Sequence, residues 1–204
     1  MRNSLQTRPA LLLLLCAFFG ACLGGKPIQY YRIDVPVTPA SSAKAYDVTL
    51  LIARVDSPRI MRDGPILYRV GDHEIGAYTY HRWVETPDRM VQDSLIRLLR
   101  SSGKYQAVEE QNSRSTGDYV VRGKIYEFAE VDNPEVQTRV SMEIELREAK
   151  TGRTMWSQLY THEEPVNGKK IPDVVRSLDR NFRQGLAEFV TALDQYFASR
   201  SPGD

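Results

Sequence analysis

In the stretch Val136-Gln137-Thr138-Arg139-Val140-Ser141-Met142-Glu143-Ile144-Glu145-Leu146, apolar and polar residues alternate, with Thr138 the one polar residue on the apolar side. Successive side chains of a β-strand point to opposite faces, so one face of this strand is apolar and the other is polar. This pattern is typical of an antiparallel strand with one solvated face. The apolar face requires a covering layer, which amphipathic helices elsewhere in the chain can supply.

Further strand patterns lie on both sides of this stretch. Residues 118–131 shift their apolar phase between Ile125 and Phe128, which predicts a β-bulge. Gly71-Asp72 stands between two strand-like runs and predicts a hairpin turn. The predicted strands besides 136–146 are residues 30–35, 46–55, 66–70, 75–83, 105–108, 118–131 and 154–161.

Two amphipathic helices complete the prediction. The first begins at Thr86-Pro87-Asp88, where threonine suits the N-cap and proline the first helical position, and Gly103 is placed to end it. The second begins at Pro172 and has an apolar stripe. We therefore predict an α+β fold, with a mostly antiparallel sheet of about six to eight strands packed against two amphipathic helices. The stripe consists of Val175, Leu178, Phe182, Leu186, Phe189, Val190, Leu193 and Phe197.

The first 22 residues contain the parts of an export signal. Two arginines precede an apolar run over residues 10–19, and the small residues Gly20 and Ala21 stand directly before Cys22. This order resembles the lipobox of bacterial lipoproteins, in which the cysteine carries fatty acyl chains such as palmitate. An ordinary secretory signal is the main alternative. A transmembrane anchor fits less well, because a spanning helix needs about 20 apolar residues and this run is about half as long.

The lipobox divides the chain into four parts. We predict residues 1–21 as the lipoprotein signal peptide and residues 22–29 as the lipidated cysteine Cys22 with a short linker. We predict that residues 30–198 form a single α+β domain and that residues 199–204 are a disordered tail. Seven residues span at most ~25 Å when fully extended, so the linker would hold the domain close to the membrane.

Composition and motifs argue against several classes of function. The 27 basic and 26 acidic residues nearly balance, so the chain lacks the basic excess of a nucleic-acid-binding protein. Both cysteines, Cys16 and Cys22, lie in the leader. The serine-hydrolase, zinc-protease and phosphate-loop motifs are missing, and the three histidines have no metal-ligand spacing. We therefore predict no catalytic residues, metal or cofactor; a hydrolase that uses His81 or His162 is the alternative.

The run Tyr78-Thr79-Tyr80-His81-Arg82-Trp83 is the candidate functional surface. Tyrosine, tryptophan and arginine are enriched among the residues that dominate protein interfaces. Regular alternation would place Tyr78, Tyr80 and Arg82 on one face of the strand and Thr79, His81 and Trp83 on the other. We take Tyr78, Tyr80, Arg82 and Trp83 as the candidate partner-contact surface, although packing beneath the following helix is the stronger reading for Trp83.

Taken in order, these motifs resemble the ABC-type transport auxiliary lipoproteins over nearly the whole mature chain. The resemblance is carried by Cys22, residues 30–33, residues 78–87 and residues 136–156. It implies a periplasmic lipoprotein that works beside an ABC permease, its ATPase and an MCE-type (mammalian cell entry) lipid-binding protein, in a system that moves lipids between the envelope membranes. It also implies that there are no catalytic residues to transfer.

The family resemblance also bears on location. In well-studied bacteria, aspartate after the lipidated cysteine retains a lipoprotein at the inner membrane. Leu23 occupies that position here, which favours the outer membrane with the domain facing the periplasm. An outer-membrane assembly or secretion lipoprotein is the alternative function. The sequence leaves open whether the protein forms a homo-oligomer.

Overall fold

The computed structural model describes residues 25–37, 46–132 and 134–200, which contain one eight-stranded sheet, two α-helices and a short 3-10 helix, Arg59–Met61. The predicted α+β class is therefore confirmed. The predicted signal peptide, Cys22 and the end of the predicted tail lie outside the described residues. The strands are β1 (Gln29–Tyr31), β2 (Thr49–Ile52), β3 (Pro65–Val70), β4 (Glu74–Trp83), β5 (Ala107–Glu110), β6 (Tyr119–Asp132), β7 (Val136–Glu148) and β8 (Thr154–Pro165), and the helices are α1 (Pro87–Ser101) and α2 (Ile171–Ala198).

One side of the sheet is the antiparallel meander β6–β7–β8, in which β8 is an edge strand and β7 contains the alternating stretch. Its apolar side is buried, with Val140 and Leu146 fully inaccessible. The predicted bulge in β6 is confirmed, because its register with β7 shifts between Ile125 and Glu127. The polar side of the meander is crossed by ion pairs. Glu127 contacts Arg69 at 2.9 Å and Arg139 at 3.2 Å.

The remaining strands make the sheet mixed. On the side away from β7, β6 pairs in parallel with β2 along its first part and with β3 along its last part. Beyond these, β5 is parallel to β2, and β4 joins β3 in the predicted hairpin and carries β1 in parallel at the edge. The two longest pairings, β6–β7 and β7–β8, are antiparallel.

Two predicted strands are shorter than expected. The strand predicted over residues 30–35 ends at Tyr31, although Ile33 and Val35 beyond it are buried as the alternation suggested. The strand predicted over residues 46–55 is regular only as β2, Thr49–Ile52, although single backbone hydrogen bonds continue on both sides, from the Gln106 N–H to Val48 and from the Ala53 N–H to Val121. Both segments show the apolar pattern of a strand because the core covers them. Their backbones, however, pair regularly with neighbouring strands over only a few residues.

Helix α1 begins at Pro87, as predicted, and Gly103 follows its end with φ +65°, a conformation that glycine adopts without strain. Thr86 is the N-cap residue, as predicted, but its side chain makes no capping hydrogen bond; its carbonyl oxygen accepts one from the Met90 N–H. Helix α2 begins at Ile171, one residue before the predicted start. The Asp173 carboxylate accepts the Lys170 N–H at 3.0 Å.

Helix α2 is held on the sheet by an apolar stripe and by buried hydrogen bonds. Phe182 and Phe189 are buried, as the predicted stripe requires. Asn181 Nδ2 donates to the carbonyl oxygens of Thr138 at 3.2 Å and His162 at 2.9 Å. The Tyr160 hydroxyl donates to Asn181 Oδ1 at 2.8 Å. Because a buried polar group left unpaired costs about 1–3 kcal/mol, these bonds fix how far the helix can slide along the strands.

Candidate partner-contact surface

The predicted surface residues lie on β4, where a large bulge changes the direction of the side chains. Pro65 pairs with Arg82 and Leu67 with Ala77, so two steps along β3 are matched by five along β4. Regular alternation fails across this bulge. The prediction that Tyr78 shares a face with Tyr80 and Arg82 is therefore wrong, and Tyr78 packs instead against His81, with ring centroids 5.9 Å apart.

Trp83 does not belong to an accessible surface. It is only 3% exposed, and its ring packs edge-on against Phe128 with the centroids 5.7 Å apart. This corrects its inclusion in the candidate partner-contact surface. The physical reason is the large apolar area of the indole, whose burial stabilises the core more than any exposed position could.

Four side chains from three strands form an aromatic cluster, which we define as Tyr31, Tyr68, Tyr78 and His81. Tyr68 and Tyr78 lie 5.0 Å apart between ring centroids, and Tyr31 and His81 lie 5.7 Å apart. The Tyr68 ring covers Gly76, where an added Cβ would come within 2.3 Å of it. Each member of the cluster is half-buried. The cluster is thus packed from below and open on one side.

Hydrogen bonds fix the polar ends of the cluster. The Tyr78 hydroxyl donates to Glu130 Oε2 at 2.8 Å, and burial together with this carboxylate raises the pKa of Tyr78. Burial also raises the pKa of Glu130, whereas the bond from Tyr78 opposes that rise. The Tyr31 hydroxyl lies 3.0 Å from His81 Nδ1. Burial and the nearby Lys26 ammonium lower the pKa of His81, so its ring favours the neutral form.

Sequence reasoning missed Tyr31, a member of this cluster, and Glu130, which accepts the hydrogen bond from Tyr78. Tyr31 reaches it because β1 pairs with β4 in parallel, Tyr31 opposite Trp83. Glu130 reaches it because β6 lies beside β3, with Tyr68 opposite Glu130. Parallel pairings between strands distant in sequence leave no local pattern that could have identified either residue.

Tyr80 and Arg82 lie on the opposite side of β4 from the cluster. They are the two neighbours of His81 in the part of β4 beside β1, where residues 81–83 pair in unbroken register and side chains alternate. Tyr30 stands opposite Arg82 and is 62% exposed. The Lys26 ammonium lies 5.5 Å from the centre of the Tyr80 ring. Arg82 Nη1 donates to the carbonyl oxygen of Asp63 at 2.9 Å. We call the surface formed by Lys26, Ile28, Tyr30, Tyr80 and Arg82 the outer face.

The two histidines suggested for a hydrolase, His81 and His162, lie in different surroundings. The hydroxyl beside His81 belongs to Tyr31, whose pKa burial raises further, so it is a poor nucleophile at neutral pH. His162 Nε2 lies 3.8 Å from a Glu164 carboxylate oxygen on a partly exposed strand.

Among the described residues, no three His, Cys, Asp or Glu side chains are grouped so that they could hold a metal ion. No helix in the described ranges is both long enough and apolar enough to cross a membrane.

Solved structures share this fold. XCC0632 from Xanthomonas campestris superimposes with a TM-score of 0.75 at 22% identity, over 86% of this chain and 100% of its own. CT253 from Chlamydia trachomatis gives a TM-score of 0.52 at 11% identity, over 76% of this chain and 98% of its own. No curated protein matches the chain. The class defined here is therefore an α+β domain of a type found in bacterial proteins of solved structure.

A match to a protein family identifies the chain more narrowly within that class of domain. Residues 31–190 match the family described as the ABC-type transport auxiliary lipoprotein component. The chain belongs to this family, which confirms the resemblance predicted from its motifs. It is accordingly an auxiliary lipoprotein of ABC-type transport, with a place in the cell envelope.

Proposed function

We propose that the protein is a non-enzymatic component of an MCE-type lipid transport system, anchored in the outer membrane by acyl chains on Cys22. Its domain faces the periplasm and works with an MCE-type lipid-binding protein, an ABC permease and an ATPase. The family match over residues 31–190 is the observation that carries the proposal. The order of small residues before Cys22 supports the anchor, and Leu23 supports the outer membrane.

The anchor is tested by Cys22→Ser in the full chain. We expect the variant to leave the membrane pellet and appear in the soluble fraction, because a serine hydroxyl cannot take the place of the acylated sulfur. Cys16→Ser is the matched control, since Cys16 lies inside the apolar run, and it should stay with the membranes. Retention of Cys22→Ser in the pellet, or a mature N-terminus without acyl groups in mass spectrometry, would contradict the proposal.

We also propose that the aromatic cluster is where the MCE-type partner docks. Three tyrosine rings and an imidazole are held by mutual packing, and hydrogen bonds hold Tyr78 to Glu130 and Tyr31 to His81. Such a surface loses little conformational freedom on binding, and half-buried aromatic anchors are typical hot spots. Of the four residues first predicted, Tyr78 is the one that belongs to this cluster.

Tyr78→Ala should reduce recovery of the MCE-type protein from solubilised envelopes by about tenfold or more, the effect of losing a hot spot worth at least 1.4 kcal/mol. Tyr126→Ala is the matched control, because the hydroxyl of this exposed tyrosine, like that of the half-buried Tyr78, donates to a glutamate, Glu143 at 2.7 Å. Tyr78→Phe keeps the ring and should retain more binding than alanine. Unchanged recovery with a Tyr78→Ala protein of normal circular dichroism would refute the docking site.

A further inference from the structure

The outer face combines exposed apolar and aromatic side chains with basic ones. Ile28 is 44% exposed and Tyr80 38%. Ile28 precedes Tyr30 by two residues and Tyr80 precedes its partner Arg82 by two, a spacing that puts them on the same side of the β1–β4 pair as Tyr30. Lys26 and Arg82 supply positive charge at its two ends. Large apolar side chains left in water along one strip of surface indicate a contact that the isolated domain does not make.

The position of this face in the chain indicates what it contacts. Lys26 follows Cys22 by four residues, a distance of at most ~14 Å when fully extended. Its ammonium lies over the Tyr80 ring. The outer face is therefore tied to the proposed site of acylation by a tether shorter than half the thickness of a bilayer, which is about 40–45 Å with its headgroups. No other surface of the described domain is bound to Cys22 by so short a length of chain.

The chemistry of the outer face suits the polar layer of a membrane. Tyrosine is enriched at the membrane–water interface, where its ring meets acyl chains and its hydroxyl meets water. Lysine and arginine extend their charged ends toward phosphate groups while their apolar stems cover apolar surface. The sequence lacks a run of basic residues, so charge alone would not hold this face on a membrane.

We infer that the outer face, centred on Tyr30 and Tyr80, rests in the phospholipid headgroup layer of the membrane that holds the anchor. This inference rests on the proposed acylation of Cys22. It assigns the domain an orientation. Because the aromatic cluster lies on the opposite side of β4, it is turned away from the lipid and toward the periplasm, where a partner can reach it.

The inference is tested by fluorescence quenching with the full acylated protein in phosphatidylethanolamine–phosphatidylglycerol vesicles that contain brominated acyl chains. Tyr30→Trp places a fluorophore on the outer face. Leu159→Trp is the matched control, because Leu159 is equally exposed at 62% and lies on β8, at the other end of the sheet from β1. After subtraction of the wild-type signal, we expect quenching of Tyr30→Trp to exceed that of Leu159→Trp at least twofold.

A second measurement avoids substitution altogether. Amide hydrogen exchange over residues 25–31 of the wild-type protein should slow at least threefold on vesicles relative to detergent, whereas exchange in β8 should not change. Equal quenching of the two variants, or unchanged exchange in residues 25–31, would overturn the membrane contact while the protein still floats with the vesicles. If the protein fails to float with the vesicles, that result would instead contradict the acylation of Cys22, on which the inference rests.

Discussion

Replacing Gly185 by leucine is expected to destabilise the domain by about 3 kcal/mol or more, the upper range for overpacked cores. Gly185 lies on the buried side of α2, where a Cβ atom alone would come within 2.6 Å of Met142 Cε and 2.9 Å of Tyr160 Cδ1. The end of a methionine can move aside. The Tyr160 ring cannot, because its hydroxyl is hydrogen-bonded to Asn181.

Urea unfolding followed by circular dichroism at 222 nm measures this loss. Ala187→Leu is the matched control, since Ala187 is exposed on the same helix and the substitution adds similar bulk without a contact to displace. It should change the free energy of unfolding by less than about 0.5 kcal/mol. If Gly185→Leu unfolds at the same urea concentration as Ala187→Leu, the close approach of α2 to the sheet is incorrect.

Gly185 allows α2 to approach the sheet closely, and this close packing stabilises the domain. Glycine inside a helix costs about 1 kcal/mol relative to alanine. At Gly185 this cost is offset by packing, because the missing side chain lets α2 lie directly on β7 and β8. The short distance also brings Asn181, one turn earlier, within reach of the Thr138 and His162 carbonyl oxygens.

Features set by local pattern could be predicted from the sequence. The alternation of β7 identified its buried face, and the phase shift in residues 118–131 located the bulge in β6. Helix α1 begins at Pro87 because proline is favourable at the first helical position. In each case neighbouring residues determine the outcome, so a window of a dozen residues contains the necessary information.

The composition of the candidate site could not be predicted in the same way. The bulge in β4 forms where β3 and β4 fall out of step, and it separates Tyr78 from Tyr80 and Arg82. The sequence around residues 77–82 alternates without any sign of it. The parallel placement of β1 beside β4 and of β3 beside β6 depends on contacts across 50 residues or more. These pairings bring Tyr31 and Glu130 to the cluster, and they follow from packing of the whole sheet.

Replacing Phe182 by alanine is expected to lower the free energy of unfolding by about 3–5 kcal/mol. Phe182 is 1% exposed and lies where α2 meets the sheet, its ring edge-on to Phe128 at 5.9 Å between centroids. Phe128 in turn packs edge-on against Trp83. The three rings connect α2 through β6 to the end of β4, so the alanine variant leaves a cavity and also removes the support beneath the strand that carries Tyr78.

Two comparisons separate cavity formation from other effects of this substitution. Phe182→Leu retains most of the apolar volume and should lose less than half as much stability as alanine. Leu159→Ala removes an exposed side chain of similar apolar character and should lose almost none. Because Phe182 supports β4 through Phe128 and Trp83, partner recovery by Phe182→Ala should also fall when the protein is still folded at low temperature. Loss of stability with full partner recovery would show that the aromatic cluster keeps its shape without this support.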